Sequence, residues 1–323
     1  MRRATRGLAA TALAALLLVL SGCLPAFQAP RLRLAIVDWP AYEYFYLASR
    51  KHLDRREGLS LQVDQFGSLQ DQRQAFSRGD VDAIATTLPE AIAICRQAPQ
   101  RCPVIVLVLD QSNGADQVIG KAEFAGAPDL KGRRVGLERS VLGEFILLRA
   151  LADSGLSLAD LQLRYGGPKA LVAQLQAGTL DAIVSYTPHS DTLLDDPRWR
   201  VLFSSAQIPG EVVDVLAVAP ELMRRDPRIV NRLVNTWWAS RRLAAAEPAE
   251  AAAVMARRQG VTPQQFTASQ RLISYPDRAE QPLLLAASGP VQRTLELLSR
   301  QMRQARRLPA DVPLPTLAPE LTR

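Results

Sequence analysis

The chain has 323 residues, 48% hydrophobic and 22% charged, a balance that lets it bury a sizeable core and excludes both disorder and collagen-like structure. Its length sets an expectation of two domains or lobes. The formal charge of +7 is inflated by Arg2, Arg3 and Arg6, and the other basic residues are scattered among acids, so no basic face suited to nucleic acid stands out.

The N-terminus reads as an address. Leu8–Leu20 is apolar at every position but Thr11 and is followed by Ser21-Gly22-Cys23. The run is too short to span a bilayer and has the length of a signal-peptide core. Leu20-Ser21-Gly22-Cys23 resembles the bacterial lipobox. The expectation is a signal peptide over 1–22, lipidation of Cys23 and a linker over 23–31, which tethers the exported protein to a membrane on its periplasmic or cell-surface side. A lipid chain contributes roughly 0.8 kcal/mol per buried CH₂, enough to anchor but not to embed. Residue 24 is leucine, which leaves open which membrane holds the anchor.

From Leu32 onward the chain repeats itself. Leu32–Val37 is an apolar, strand-like run, and apolar spacing predicts a helix over Tyr42–Arg55. Arg78-Gly79-Asp80-Val81-Asp82-Ala83-Ile84 then leads to Pro89, and Ala177-Gly178-Thr179-Leu180-Asp181-Ala182-Ile183 leads to Pro188. The Gly, Asp, Ala, Ile and Pro of these stretches recur 99 positions apart, and Gly58-Leu59-Ser60-Leu61 recurs as Gly155-Leu156-Ser157-Leu158 at an offset of 97. Arg134–Leu137 is the counterpart of the first strand and Gly143–Asp153 of the first helix. Ordered matches at one offset argue for a duplicated strand–helix–strand–helix–strand unit. Short apolar strands of this kind fit a parallel sheet covered by helices.

Cys95 and Cys102 flank the polar, turn-like stretch 96–101. Export places them in an oxidising compartment, where a disulfide is favoured over two free thiols and contributes about 2–3 kcal/mol by closing so short a loop. Val104–Leu109, Val201–Phe203 and Val212–Val218 are further strand-like runs, the last able to return to the first unit's sheet. Helices follow over Pro227–Ala246, Pro248–Gln259, Pro263–Leu272 and Gly289–Arg306, with prolines at helix starts. Leu308–Arg323 is proline-rich and reads as an extended wrap.

Catalytic signatures are missing. There are two histidines, His52 on a polar face and His189 at a strand end, and no cluster with zinc spacing. No nucleophile elbow, Walker loop or dinucleotide fingerprint is present. No metal and no cofactor is expected. Polar and aromatic residues instead gather where predicted strands end: Asp38–Glu43, Thr86–Glu90, Asp110–Asp116, Glu138–Ser140 and Ser185–His189. That edge of an α/β sheet takes ligands, and a mix of stacking faces and hydrogen-bonding groups suits a small molecule. Ser140 also reads as a helix N-cap.

At these residues the chain resembles the type 2 periplasmic substrate-binding proteins of ABC transporters, in the nitrate/sulfonate/taurine and thiamine-precursor group, from about Leu32 to Leu308. Trp39-Pro40-Ala41-Tyr42-Glu43 is similar to that group's Trp-Pro-Gly-Tyr-Glu segment, with Ala41 where glycine is usual. Asp110–Asp116 resembles its first crossover, Asp129–Gly136 its entry to lobe two, and Ser205–Asp214 its return crossover. The resemblance implies an α/β fold of two lobes, each a mainly parallel sheet flanked by helices, on a two-strand hinge. Lobe one would be 32–113 plus 208–323, with the C-terminal helices, and lobe two 114–207, rotating at Gly114 and Gly210. It implies a monomeric solute-binding lipoprotein, not an enzyme, that passes a small molecule to the permease and ATPase subunits of an ABC importer.

On that reading Trp39 and Tyr42 are aromatic walls, and Glu43, Thr87 and Glu90 polar contacts from lobe one. Asn113 and Asp116 sit near the hinge, Ser140, Glu144 and Tyr186 face from lobe two, and Glu211 and Asp214 lie on the return crossover. Carboxylates outnumber the candidate cations Arg139 and His189, which favours a neutral or cationic organic ligand over sulfonate or nitrate. Two other readings stay open. One is a ligand sensor for a signalling partner. The other is an enzyme like the thiamine-pyrimidine synthases of this fold, against which the scattered histidines and the export signal argue.

Overall fold

The computed structural model describes residues 29–304 and 307–322. The signal segment 1–22, the lipidation candidate Cys23 and the linker up to residue 28 lie outside the described residues. Twelve strands among the described residues form two sheets. They are β1 Arg31–Ile36, β2 Ser60–Gln65, β3 Ala83–Thr87, β4 Val104–Ser112, β5 Asp116–Lys121, β6 Arg134–Leu137, β7 Gln162–Tyr165, β8 Ala182–Tyr186, β9 Trp199–Ser204, β10 Val213–Val218, β11 Ile273–Ser274 and β12 Thr316–Leu317. The first sheet has the order β11-β4-β10-β3-β1-β2 with β12 beside β4, and the second β7-β6-β8-β5-β9.

The duplication is visible as geometry. In each half the middle strand pairs in parallel with the two others of its unit, β1 with β2 and β3, and β6 with β7 and β8. The repeated aspartates do the same work twice. Asp82 Oδ2 accepts the backbone N–H of Arg33 at 2.9 Å and the Arg33 guanidinium, which also reaches Gly79 O at 3.1 Å. Asp181 Oδ2 accepts the N–H of Arg134 at 3.0 Å and its guanidinium at 2.9 Å, which also reaches Gly178 O at 3.0 Å. Gly79 and Gly178 take φ of 87° and 72°, a left-handed turn that glycine adopts without steric cost. Each repeated segment thus locks the start of a first strand to the entry of a third.

Both sheets are more mixed than the mainly parallel expectation. β10 runs antiparallel between β3 and β4, and β5 antiparallel between β8 and β9. The reason lies in the crossovers. β4 runs through Asn113-Gly114-Ala115 into β5 of the second sheet, and β9 returns through 205–212 to β10 of the first. Ser112 Oγ and Ser205 Oγ stand 2.7 Å apart, and the Gly114 N–H donates to Ser205 Oγ at 2.7 Å, so the two crossovers are tied to each other. Gly114 has φ of 110° and Gly210 of 76°, both in the left-handed region.

Helices Leu69–Arg78 and Leu88–Gln97 pack on the first sheet and Val141–Leu151 on the second. Pro227–Ala246 packs against Glu43–Arg50, where the fully buried Trp237 ring lies 5.0 Å from Phe45 and 5.2 Å from Tyr44. The predicted helix over Tyr42–Arg55 is broken. Pro40–Tyr42 is a tight turn, Glu43–Arg50 the helix, and exposed His52 turns left-handed at φ 56°. That turn buries Asp54, whose Oδ2 accepts the Leu61 N–H at 2.8 Å. Cys95 and Cys102 are bonded to each other. The tail is not wholly extended, since β12 pairs with β4 and Pro319–Thr322 makes a helical turn.

Removing either repeated carboxylate strands a strand N–H and an arginine. Asp82→Ala and Asp181→Ala should each lower unfolding stability by about 1–3 kcal/mol in denaturant titration. A loss confined to one of the two would count against their equivalence.

Candidate functional site

Strand register builds the site from residues far apart in sequence. In the first sheet Thr87 on β3 and Asp110 on β4 stand opposite Asp214 on β10, forming one row across three strands. Trp39, just past β1, donates its indole N–H to Asp110 at 3.2 and 3.3 Å, and the Tyr42 hydroxyl donates to Asp214. In the second sheet Asp116 on β5 is the register partner of Tyr186 on β8. The two groups meet in a cavity lined by Val37, Trp39, Tyr42, Leu69, Thr87, Asp116, Leu142, Tyr186 and Asp214. A neighbouring void shares Leu69, Asp116, Leu142 and Tyr186 and adds Glu138 and Ser140. Each has about 20 Å³ of free space, room for about one water molecule.

Contacts across this gap join elements of both sheets. The Trp39 and Tyr186 rings meet edge-on with centroids 6.1 Å apart. Glu90, on the helix Leu88–Gln97, accepts the N–H groups of Val141 at 2.5 Å and Leu142 at 3.2 Å, at the start of the facing helix Val141–Leu151. Glu138, beside the second sheet, accepts the Leu69 N–H at 2.5 Å, at the start of Leu69–Arg78. A helix start favours an anion, and here each start takes the other side's carboxylate. His189 Nε2 lies 3.9 Å from Asp38 Oδ2, and its burial lowers the imidazole pKa.

The acids of the site are held out of water. Burial pushes Asp116 up to about 6, Glu138 to about 7 and Asp214 to about 8. The Leu69 N–H pulls Glu138 back only in part, and the Tyr42 hydroxyl does the same for Asp214. Asp110 is raised by burial and by Asp214 beside it, against the Trp39 N–H and the charge of Arg241. Burial also raises the phenols of Tyr42 and Tyr186. Convergent aromatic and polar groups with perturbed titration mark this interior cavity as the candidate site.

A roomier groove of about 480 Å³ lies outside it, lined by Arg73, Arg96, Arg139, Arg149, Glu144 and Arg307 among others. Its charges are engaged within the chain. Arg73 pairs with Glu90, Arg149 with Glu211, Arg307 with Glu144, and Arg139 stacks over Tyr165.

Of the residues the sequence singled out, Trp39, Tyr42, Thr87, Asp116, Ser140, Tyr186 and Asp214 line the interior space. Ser140 also caps the helix Val141–Leu151 by accepting the Gly143 N–H at 3.0 Å. The other five stand elsewhere. Glu43 is buried against Arg258, and burial pushes its carboxyl up to about 8. Glu90 is spent on the facing helix start. Glu144 pairs with Arg307 and Glu211 with Arg149, both on the outer groove's side, and Asn113 is exposed on the crossover. Each displaced acid has an arginine or N–H partner contributed by a distant part of the chain. Glu138 counts among the candidate carboxylates of the sequence without being given a ligand contact, and Asp110, Leu69 and Leu142 are not singled out there. Glu138 and Asp110 lie in the strand-end stretches that supplied the signal, while the two leucines carry none.

The fold matches the alkanesulfonate-binding protein SsuA from Xanthomonas axonopodis pv. citri bound to MOPS, with TM-score 0.75 and 20% identity over 92% of this chain and 100% of that one. It also matches the desulfurization enzyme DSZB, with TM-score 0.61 and 16% identity over 88% and 95% of the two chains. In sequence the chain is 22% identical to the taurine-binding periplasmic protein of Escherichia coli over 216 residues, 65% of this chain and 66% of that one. The chain spans 62% to 66% of the length of the curated relatives it matches. The two-sheet α/β architecture is that of the periplasmic binding proteins. Residues 26–258 match the NMT1-like family, and the chain belongs to that family.

Proposed function

We propose that the protein is an extracytoplasmic solute-binding component that captures a small organic molecule between its two sheets and delivers it to the permease and ATPase of an ABC importer. One observation carries the reading: the cavity walls come from both sheets, Trp39, Tyr42, Thr87 and Asp214 from one side and Asp116, Leu142 and Tyr186 from the other. A molecule seated there bonds the two sides together and therefore favours the closed arrangement. Only that difference in affinity can shift the population, since equal binding to open and closed forms shifts nothing.

Room for about one water does not admit an organic molecule, so entry requires the sides to part. The crossovers at 113–115 and 205–212 are the covalent links about which they would turn, with lobe one formed by 32–113 plus 208–323 and lobe two by 114–207. The protein acts as a monomer, with residues 1–22 removed and Cys23 lipidated. Since the fold also carries a desulfurization enzyme, the cavity lining decides between binding and catalysis. Among the described residues of that lining no thiol or hydroxyl is joined to a histidine base, and we read its acids Asp116, Glu138 and Asp214 as ligand contacts.

Three outcomes follow. Protein isolated from its host should carry a co-bound small molecule in native mass spectrometry, and restoring that molecule to stripped protein should reduce the radius of gyration in solution scattering. No bound molecule, and no compaction across a metabolite library, would refute the reading. Trp39→Ala and Tyr186→Ala should each weaken binding about tenfold or more in calorimetry, because each removes an aromatic wall.

The third outcome concerns pH. In the closed form Asp116, Glu138 and Asp214 titrate at about 6, 7 and 8, while in water such groups titrate near 4. The closed form thus holds more protons between these limits. Its advantage is complete below about pH 4 and is lost as pH rises through 6 to 8. Ligand-free protein should be more expanded at about pH 8.5 than at about pH 5.5, and the opposite trend would count against closure at this gap.

A further inference from the structure

Two buried carboxylates at the site lack a compensating charge. Asp116 is 3% exposed and lines both voids, and among the described residues its Oδ2 has no hydrogen-bond partner. Asp214 is 2% exposed and receives the Tyr42 hydroxyl. No Lys, Arg or His stands among the described residues lining either void. Cations around the site act elsewhere. Arg73 pairs with the Glu90 oxygen, Oε2, that the helix start does not use, and Arg241, stacked between Tyr44 and Tyr275, bears on Asp110. Lys169 and His189 face Asp38. A carboxylate removed from water without a partner is costly, and a cation supplied by a ligand offsets that cost.

Two of the groups that would receive an anion are already filled. Helix starts are the natural seats of sulfonate, phosphate or carboxylate. Two that open on this gap, at Leu69 and Val141, hold Glu138 and Glu90 at 2.5 Å, and a third, at Leu88, is capped by the lining residue Thr87, whose Oγ1 accepts the Glu90 N–H at 3.4 Å. An incoming anion would have to displace these acids and then sit beside Asp116 and Asp214.

Resting on the solute-binding reading above, we infer that the site selects a small organic cation, an amine whose charged nitrogen sits against Asp116 and Asp214 and whose apolar body lies against Trp39 and Tyr186. Glu90 and Glu138 are its specificity determinants, disfavouring anions by occupying two of the helix starts at the gap. The aromatic rings add attraction, because a cation near a ring face gains from its quadrupole. The inference separates this chain from the alkanesulfonate-binding protein whose fold it shares.

The test is calorimetry on the full folded protein with matched series carrying ammonium, hydroxyl or sulfonate on the same methyl, propyl and benzyl bodies. Mildly alkaline buffer keeps the site acids ionised and the amines protonated. The amines should bind about ten- to hundredfold more tightly than the alcohols, the worth of one charge-assisted hydrogen bond, and the sulfonates should give no heat. The isosteric variants Asp116→Asn and Asp214→Asn should reduce amine binding to the alcohol level, while Glu138→Ala should let the sulfonates register. Circular dichroism of each variant checks that it is folded. Sulfonates or alcohols binding as well as the amines, or an amine preference that survives both Asn variants, would overturn the charge assignment and leave solute binding intact. No heat from any series, with scattering unchanged, would overturn both.

Discussion

Carboxylates kept out of water where the two sheets meet are the constraint on which the rest of the structure turns. Glu90 and Glu138 solve the problem by reaching across to backbone N–H groups at the start of the opposite helix. The exchange is reciprocal, so neither helix start is left bare and neither acid lacks a donor. Favourable charge at a helix start contributes about 0.3–2 kcal/mol, less than the full desolvation of a carboxylate, which is why burial still raises the Glu138 carboxyl. Asp110 has the Trp39 N–H and the field of Arg241. Asp116 and Asp214 have less. Protonation, bound charge and separation of the sheets are therefore linked quantities, and a change in one moves the others.

The topology explains why those two buried acids are the critical groups of the site. Asp116 is the first residue of β5 and Asp214 the second of β10, the strands that each crossover delivers to the other side. The same strands are the central antiparallel members of their sheets, held on both edges. The acids thus sit on rigid strands immediately beside the links that would flex. The Ser112–Ser205 contact and the Gly114 N–H bind the two links together. On the proposed reading, hinge and binding groups are neighbours in the chain, and a ligand gripping the acids acts directly on the parts that turn.

Much of this was legible in the sequence because it is written locally. The paired Gly and Asp of the repeat fixed two equivalent strand-locking corners, and Asp82 and Asp181 occupy them. The prolines opening Pro227–Ala246 and Pro248–Gln259 marked helix starts to the residue. What stayed hidden depends on pairing at a distance. Glu43 meets Arg258 across 215 positions, and the row of Thr87, Asp214 and Asp110 exists only through strand register. An acid at a strand end looks alike whether it faces a cavity or an arginine. Seven of the chosen residues reached the cavity, and five acquired partners or exposure that no local pattern announces. The break at His52 is of the same kind, since the left-handed residue sits where Asp54 turns in to accept the N–H of Leu61, on the next strand.

Sharing a fold leaves the ligand undetermined, because a fold fixes where side chains stand and not what they are. At 20% identity to an alkanesulfonate-binding protein, the sheets, crossovers and helix starts can persist while the charges at the gap change. Discrimination between ligands of opposite sign needs few substitutions when the repulsive element is already placed. A helix start accepts an anion from solution or a carboxylate from its own chain, and the two are mutually exclusive. Placing Glu90 and Glu138 there leaves the backbone architecture untouched, yet it removes two seats for an anion and adds negative charge near Asp116 and Asp214. A single structural choice, filling the helix starts from within, accounts for both what the site refuses and what it is left to attract.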